Sequence, residues 1–336
     1  MEYRRLGSSG LQVSPICLGA MTFGERTTAA VAARIVASAF DAGINFIDTA
    51  DSYVRGESER IVGKLIAKQR DRWVLATKVA NQMVADDPNS GGLGRKWIMY
   101  EIDASLRRLG TDYIDVYYLH RDDPGTAVAE TVEALGDLMR AGKIRYFGLS
   151  NFQGWRIAEV VSTCRRLGVA QPVVLQPVYN AMNRLAEVEM LPACEYYGLG
   201  VVPYSPLARG VLTGKYLPGV APARDSRAGR KDRRLLEAEF RDESLRYAQR
   251  IKAHAEKRGM TAGQFALNWV LNNRLVTSVL AGPRTETQWR EYLAALDHKF
   301  DARDDAVVDR LVAPGQLSTH GYTDPKFPVT GRVSRA

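Results

Sequence analysis

Cysteine is scarce in this chain. Only Cys17, Cys164 and Cys194 occur, isolated and odd in number, and there is no C-x-x-C pair. A disulfide framework is therefore excluded, and the pattern fits a reducing compartment in which each thiol is a small buried apolar group. Histidine is almost as rare. His120, His254, His298 and His320 include no pair at metal-ligand spacing, so no histidine-based metal centre is expected. No apolar run approaches the roughly 18 residues needed to span a bilayer. The opening MEYRRLGSSG carries no hydrophobic signal core. The expectation is a soluble cytoplasmic protein with no membrane partner. Also missing is a G-x-G-x-x-G after the first apolar strand, where the turn reads LGAMTFGE. That speaks against an open, doubly wound dinucleotide-binding sheet.

What is present points to a large globular protein. The 336 residues are 46% hydrophobic, enough for a sizeable core, and 25% charged, an ordinary share. Lysine and arginine number 46 against 38 acidic residues, a net charge of +8. The densest basic stretch is RDSRAGRKDRR, residues 224–234. Such charge attracts phosphate-bearing small molecules or nucleic acid. No nucleic-acid motif accompanies it, so no nucleic-acid partner is expected.

Short β-branched runs alternate with longer amphipathic stretches. Eight strands are predicted: ICLGA (16–20), NFIDTA (45–50), WVLATKV (73–79), IDVYYLH (114–120), IRYFGLS (144–150), VVLQP (173–177), GVVPYS (200–205) and SVLAG (278–282). Most are nearly continuous apolar runs, as expected of parallel strands covered on both faces. Between them, Ile98, Ile102, Leu106 and Leu109 recur at helical spacing, as do Val128, Val132, Leu135 and Met139. Gly110 and Gly142 follow these two helices, where glycine readily takes the left-handed conformation that ends a helix. Eight strand–helix units predict an α/β fold of the (β/α)8 TIM-barrel type in a single domain, 1–336. Residues 1–14 read as a hairpin that caps the lower end. Residues 207–240 form a long loop after strand seven, and 313–336 a C-terminal tail.

In such a barrel the chemistry sits at the C-terminal ends of the strands. Asp48 ends strand two, Tyr53 follows in the next loop, Lys78 lies near the end of strand three and His120 closes strand four. Each alone has an ordinary explanation: a helix cap, a loop aromatic, a surface charge, a core histidine. Together they converge on one rim. A phenol stays protonated at neutral pH and can give a proton to a carbonyl oxygen. A nearby ammonium favours the phenolate, so Lys78 is expected to lower the pKa of Tyr53. Asp48 would keep Lys78 charged, and His120 would orient the substrate oxygen. This machinery supplies a proton but no reductant, so a bound cofactor must bring the hydride.

The motifs FIDTADSYVRGESERIVGKLI, LATKV, YIDVYYLHRDDP, GKIRYFGLSNF, QPVYN and YSPLARGVLTGKY occur in that order and cover most of residues 3–312. In them the chain resembles the aldo-keto reductase superfamily, most of all its bacterial and potassium-channel β-subunit-like branch. The resemblance implies a catalytic tetrad of Asp48, Tyr53, Lys78 and His120, with Tyr53 as proton donor in reduction, and a bound NADP(H). It implies that Ser150, Asn151 and Gln176 hold the nicotinamide carboxamide and that Tyr204 stacks on the ring. Ser205, Leu207, Arg209 and Gly210 would meet the pyrophosphate or ribose. Gly282, Pro283, Arg284 and Thr285 would approach the 2′-phosphate, and Gln288 and Glu291 the adenine end.

The residues themselves bear on these implications. GLSNF lacks the second glycine of a nucleophile elbow, so Ser150 is a poor nucleophile. Arg284 precedes a helix predicted to begin near Thr285, and a guanidinium beside a helix N-terminus suits a phosphomonoester. This favours NADPH over NADH. Two positions depart from the family. Tyr292 stands where many members have asparagine, so adenine contact there becomes stacking or is lost. Gln288 stands where many have a basic residue, which leaves phosphate selectivity to Arg284.

The substrate pocket is expected to be lined by Met21, Phe23, Val54, Arg55, residues 80–83, Arg121 and the tail segment 316–332. This mixed lining would admit a bulky hydroxylated or xenobiotic ketone, or an aromatic aldehyde. The leading expectation is an NADP(H)-dependent reductase of a small carbonyl substrate, as monomer or homo-oligomer. A regulatory, cofactor-sensing subunit with weak turnover is the alternative. A nucleic-acid binder using the basic loop is a third reading. Turnover on a carbonyl panel, and retention on a heparin or DNA column, separate the three.

Overall fold

A computed structural model describes residues 1–328. Two strands open the chain, β1 (Arg4–Arg5) and β2 (Gln12–Val13), paired antiparallel as a hairpin. Eight more follow: β3 (Ile16–Gly19), β4 (Phe46–Asp48), β5 (Val74–Val79), β6 (Ile114–Leu119), β7 (Ile144–Ser150), β8 (Val174–Gln176), β9 (Gly200–Val201) and β10 (Val279–Ala281). They form one sheet of parallel strands in the order β10-β3-β4-β5-β6-β7-β8-β9. The amides of Thr277 and Leu280 donate to the carbonyls of Val201 and Pro203, both at 2.9 Å, which joins the last neighbours and closes the ring. This is the predicted (β/α)8 barrel, and each of its eight strands falls inside a predicted run.

By packing, the chain divides into two compact units. The first comprises Met1–Val178, Glu189–Tyr204 and Asn273–Leu293, and holds all ten strands found among the described residues. Its helices are α1 (Ala29–Asp41), α2 (Glu57–Ile66), α3 (Arg95–Leu109), α4 (Val128–Arg140), α5 (Gly154–Leu167) and α6 (Met190–Tyr197). The strands are buried almost throughout, as two-sided coverage demands. Inside the barrel, Cys17, Phe46, Val74, Ala76, Val116, Tyr118, Val174 and Val202 form one cluster with Leu6 and Val13 of the hairpin. The hairpin thus plugs the lower mouth with two apolar side chains. Its Gly7 lies so close to the barrel floor that a Cβ would sit 2.3 Å from the Val173 carbonyl oxygen.

Among the described residues, the second unit comprises Tyr179–Val188, Ser205–Asn272 and 294–328. It contains α7 (Arg233–Ala238), α8 (Asp242–Lys257), α9 (Ala262–Asn272) and α11 (Ala302–Asp309), whereas α10 (Glu286–Ala294) belongs almost wholly to the first. The stretch 207–240, expected as loop, includes a 3-10 turn, Ala208–Thr213, and α7, which Asp232 caps by accepting from the Leu235 amide. The tail is pinned within this unit. Arg234 forks onto Asp324 at 3.0 and 2.8 Å, Arg241 donates to Thr319 at 3.0 Å and lies 3.8 Å from the Tyr322 ring centre, and the Ser244 and Ser318 hydroxyls meet at 2.7 Å. Residues 329–336, the end of the expected tail, lie outside the described residues. Much of the basic stretch 224–234 is spent internally: Arg227 pairs with Asp232, Arg233 with Glu237 and Arg234 with Asp324.

Two stability predictions follow from this packing. Gly148 of β7 faces the Tyr118 ring, and an added Cβ would lie 2.6 Å from both Tyr118 and Val174. Gly148→Ala should cost about 1–3 kcal/mol in denaturant unfolding. Glu239 is 2% exposed, and burial pushes its carboxyl up to about 7 against the pull of Arg209 and Arg241. The folded state then holds a proton that the unfolded chain releases near its ordinary value of about 4.3. This stabilisation is complete below that value and is lost as pH rises through about 7. Stability measured from pH 4 to 8 should decline across this window by up to ~3 kcal/mol relative to Glu239→Gln, which lacks the titration.

Candidate active site

The upper rim of the barrel gathers the four residues singled out from the sequence. Asp48 is the last residue of β4 and Lys78 lies in β5, and both are fully buried. Tyr53 opens a 3-10 turn, Tyr53–Gly56, that leads into α2, and His120 follows β6 directly. Lys78 Nζ donates to Asp48 Oδ1, to the Thr49 carbonyl at 2.7 Å and to the Tyr53 hydroxyl oxygen at 3.2 Å. An ammonium has three N–H donors, so its capacity is used in full. Asp48 Oδ2 accepts from Gln176 Nε2 at 3.0 Å. The Tyr53 and His120 rings meet edge to face, 5.8 Å apart at 83°. Asn81 donates to His120 Nδ1 and to the Ser52 hydroxyl, each at 3.0 Å.

Burial and charge oppose each other here. Burial works against the Lys78 charge, but Asp48 and then Tyr53 more than offset it and hold the ammonium above its ordinary value. Burial lifts the Asp48 carboxyl, against Lys78 and Gln176. Burial likewise lifts the Tyr53 hydroxyl, and Lys78 only partly offsets that. The sequence argument expected Lys78 to lower this pKa. Lys78 does so, yet the net shift is upward, because removing a phenolate from water outweighs one neighbouring ammonium that is already shared with Asp48.

A second network joins the rim strands. Asn151, in a left-handed conformation (φ 61°), donates to the His120 carbonyl at 2.9 Å and to the Ser150 hydroxyl at 3.0 Å. Its amide oxygen accepts from the Tyr204 hydroxyl at 2.8 Å. Ser150 donates to the Gln176 carbonyl at 2.9 Å. Ser150, Asn151, Gln176 and Tyr204 therefore stand in one hydrogen-bonded network. Gln176 is buried, and its amide nitrogen serves Asp48. At α10, the Thr285 hydroxyl accepts from the Gln288 amide at 3.3 Å, and the Gln288 side chain accepts from the Arg284 amide at 2.8 Å. Gln288 and Glu291 share one face of this helix. Gly282 is exposed, Pro283 buried and Arg284 half-buried. Tyr292 is buried and offers little open ring face.

In the second unit, Ser205, Ala208, Arg209 and Gly210 all have positive φ, at 58°, 45°, 54° and 100°. Leu207 lies between them, and Asn180 donates to the Ser205 carbonyl at 3.0 Å. The Ala208 and Gly210 amides donate back to the Ser205 and Leu207 carbonyls, at 2.9 and 2.8 Å, so this run is a set of tight turns.

The expected pocket residues fare unevenly. Met21 is 45% exposed, and Arg55 and Arg121 are exposed too. Val54 is half-buried and, with Arg55, left-handed (φ 49° and 54°), a strained state for a β-branched side chain. Phe23 is fully buried and packs as core, with no surface for a substrate to touch. The contact between Asn81 and His120 was not legible beforehand. Residues 80–83 read only as pocket wall, and no spacing ties an asparagine to a histidine on the next strand.

The phenol supplies a direct check. The ultraviolet titration difference between wild type and Tyr53→Phe isolates Tyr53. Its midpoint should lie above the roughly 10 of free tyrosine, and Lys78→Met should move it higher still, since Lys78 is the leading influence that lowers it.

Comparison with known proteins agrees with this geometry. Residues 15–313 match the family model described as the aldo/keto reductase family. The chain is similar to a probable voltage-gated potassium channel subunit beta of Oryza sativa subsp. japonica, 38% identical over 93% of this chain and 96% of the relative. It is similar to the oxidoreductase YrpG of Bacillus subtilis (strain 168), 38% identical over 90% and 93%. It is also similar to the L-glyceraldehyde 3-phosphate reductase of Escherichia coli (strain K12), 34% identical over 95% and 94%. With a family match over residues 15–313 and relatives of this identity along more than nine-tenths of their length, the chain belongs to the aldo/keto reductase family of oxidoreductases.

Proposed function

We propose that this protein reduces an aldehyde or ketone to the alcohol with NADPH, and that Tyr53 donates the proton. The single observation behind this reading is the direction of the bond at Tyr53. The phenol oxygen accepts from Lys78, so its own hydrogen is directed elsewhere and is available to a substrate oxygen. As the carbonyl oxygen gains charge, Tyr53 gives up this proton and Lys78 stabilises the phenolate that remains. Asp48 and the Thr49 carbonyl keep Lys78 charged and in place. His120 donates a second hydrogen bond to the substrate oxygen.

When bound, NADPH would supply the hydride. The residues present suit it. The Tyr204 ring is held by its hydroxyl on Asn151 and offers a flat face to the nicotinamide. Asn151 and Ser150 line the same rim for the carboxamide, with Gln176 behind them. Ser205, Leu207, Arg209 and Gly210 would meet the pyrophosphate or ribose, with the Arg209 guanidinium supplying the charge that suits a phosphate. Arg284 and Thr285 at the start of α10 suit the 2′-phosphate, which is why NADPH is preferred over NADH. Exposed Arg55, Arg121 and Met21 would border a pocket for a bulky hydroxylated or xenobiotic ketone.

A second reading, an NADP(H)-binding regulatory subunit with weak turnover, draws on the similarity to the rice protein. Steady-state NADPH oxidation on a panel of aldehydes and ketones decides between them. Sustained turnover supports the reductase, and a single turnover per site supports the regulatory reading. In the reductase, Tyr53→Phe should lower kcat by about 10²–10⁴-fold while NADPH binding, read by fluorescence quenching, stays within about twofold.

A further inference from the structure

His120 needs the right tautomer to do what the proposed function asks of it. An imidazole that donates to a substrate oxygen through Nε2 must carry its proton there, and the partner of Nδ1 decides that. In barrels of this kind the partner has to come from a neighbouring strand end, and here it does. Asn81 Nδ2 lies 3.0 Å from His120 Nδ1 and 3.0 Å from the Ser52 hydroxyl. The carboxamide thus bridges the loop that carries Tyr53 and the strand end that carries His120.

The backbone is arranged to deliver this side chain. Ala80, immediately before Asn81, has φ 139°, a strained value for any residue but glycine, and is fully buried. Its carbonyl accepts from the Gly92 amide at 2.9 Å, which anchors the turn. His120 is fixed from the other side: its amide donates to the Val79 carbonyl at 2.8 Å and its carbonyl accepts from Asn151 at 2.9 Å. Main chain and ring edge are both tied down, so the asparagine meets one defined nitrogen.

We propose that Asn81 is a positioning residue for the reduction. By donating to Nδ1 it holds His120 as the neutral Nε2–H tautomer, ready to hydrogen-bond the substrate carbonyl. The same amide, through Ser52, couples the ring to the Tyr53 loop. A protonated Nδ1 would set two N–H groups against each other, so this arrangement also selects against the imidazolium. The inference rests on the reductase reading for its purpose, but not for its test.

The tautomer is read by ¹⁵N NMR of the histidine ring in the protein without substrate, with His120→Gln assigning the signal among the four histidines. The expected wild-type pattern is an unprotonated Nδ1 and a protonated Nε2. Asn81→Ala should yield a mixture of tautomers. Asn81→Asp, which offers Nδ1 an acceptor, should move the proton to Nδ1. In turnover, Asn81→Ala should lower kcat about 10–100-fold and Asn81→Asp further, with NADPH affinity within about twofold. A wild-type Nδ1–H signal, or a tautomer indifferent to all Asn81 substitutions, overturns the proposal. Because the NMR arm needs no catalysis, its outcome stands apart from any failure of Tyr53→Phe to affect reduction.

Discussion

The active rim is organised around one ammonium. Lys78 sits fully buried with each of its three N–H groups assigned: one to a carboxylate, one to a main-chain carbonyl, one to a phenol. A charge buried this deeply is tolerated only when paired and hydrogen-bonded, and removing either partner of such a pair typically costs about 3–5 kcal/mol. Asp48 meets that requirement from the neighbouring strand, and Gln176 from across the barrel braces the other carboxylate oxygen. The geometry of Tyr53 is a consequence. Its oxygen lies where the third ammonium hydrogen points, and its ring lies within 4.6 Å of the same charge.

From that centre the rim is connected strand by strand. Gln176 links to Ser150 through its main chain, Ser150 to Asn151, and Asn151 to both His120 and Tyr204. These are short contacts between residues at the ends of successive strands. A parallel barrel brings those ends together whatever their spacing in the chain. Loops then add strain where the side chains must be aimed. Val54, Arg55, Ala80 and Asn151 all depart from ordinary backbone geometry, and all border the tetrad. Deviations of this kind persist only when surrounding packing over-determines them. The closed ring beneath and the hairpin plug at its base provide that rigidity.

The barrel was legible because its strands are buried on both faces and so read as nearly continuous apolar runs such as WVLATKV and IDVYYLH. The meeting of Asp48, Tyr53, Lys78 and His120 was legible because polar residues recur at or just after the ends of three successive strands, where each alone has an ordinary use but the convergence does not. Other features escaped for identifiable reasons. The acidity of Tyr53 depends on how much water the fold removes, which no residue spacing records. Phe23 lies one short turn beyond a strand end, and sequence position alone does not tell an aromatic on a pocket wall from one folded back into the core. Helix α7 lies in a stretch dominated by arginines, with too short a period to stand out from the basic loop around it. Asn81 reaches a histidine on another strand, a relation set by a strained alanine.

The ring closes between its first and last strands: Ile16 pairs with Val279 and Leu18 with Ala281. During synthesis the chain leaves the ribosome from the N-terminus, so β3 waits with an open edge until almost the entire polypeptide has been translated. An exposed parallel edge invites pairing with other chains. Completion of the barrel is therefore a late, long-range event. Nascent chains of this protein depend on protection of that edge until residues 279–281 emerge, and premature termination before residue 279 would leave an unsealed sheet.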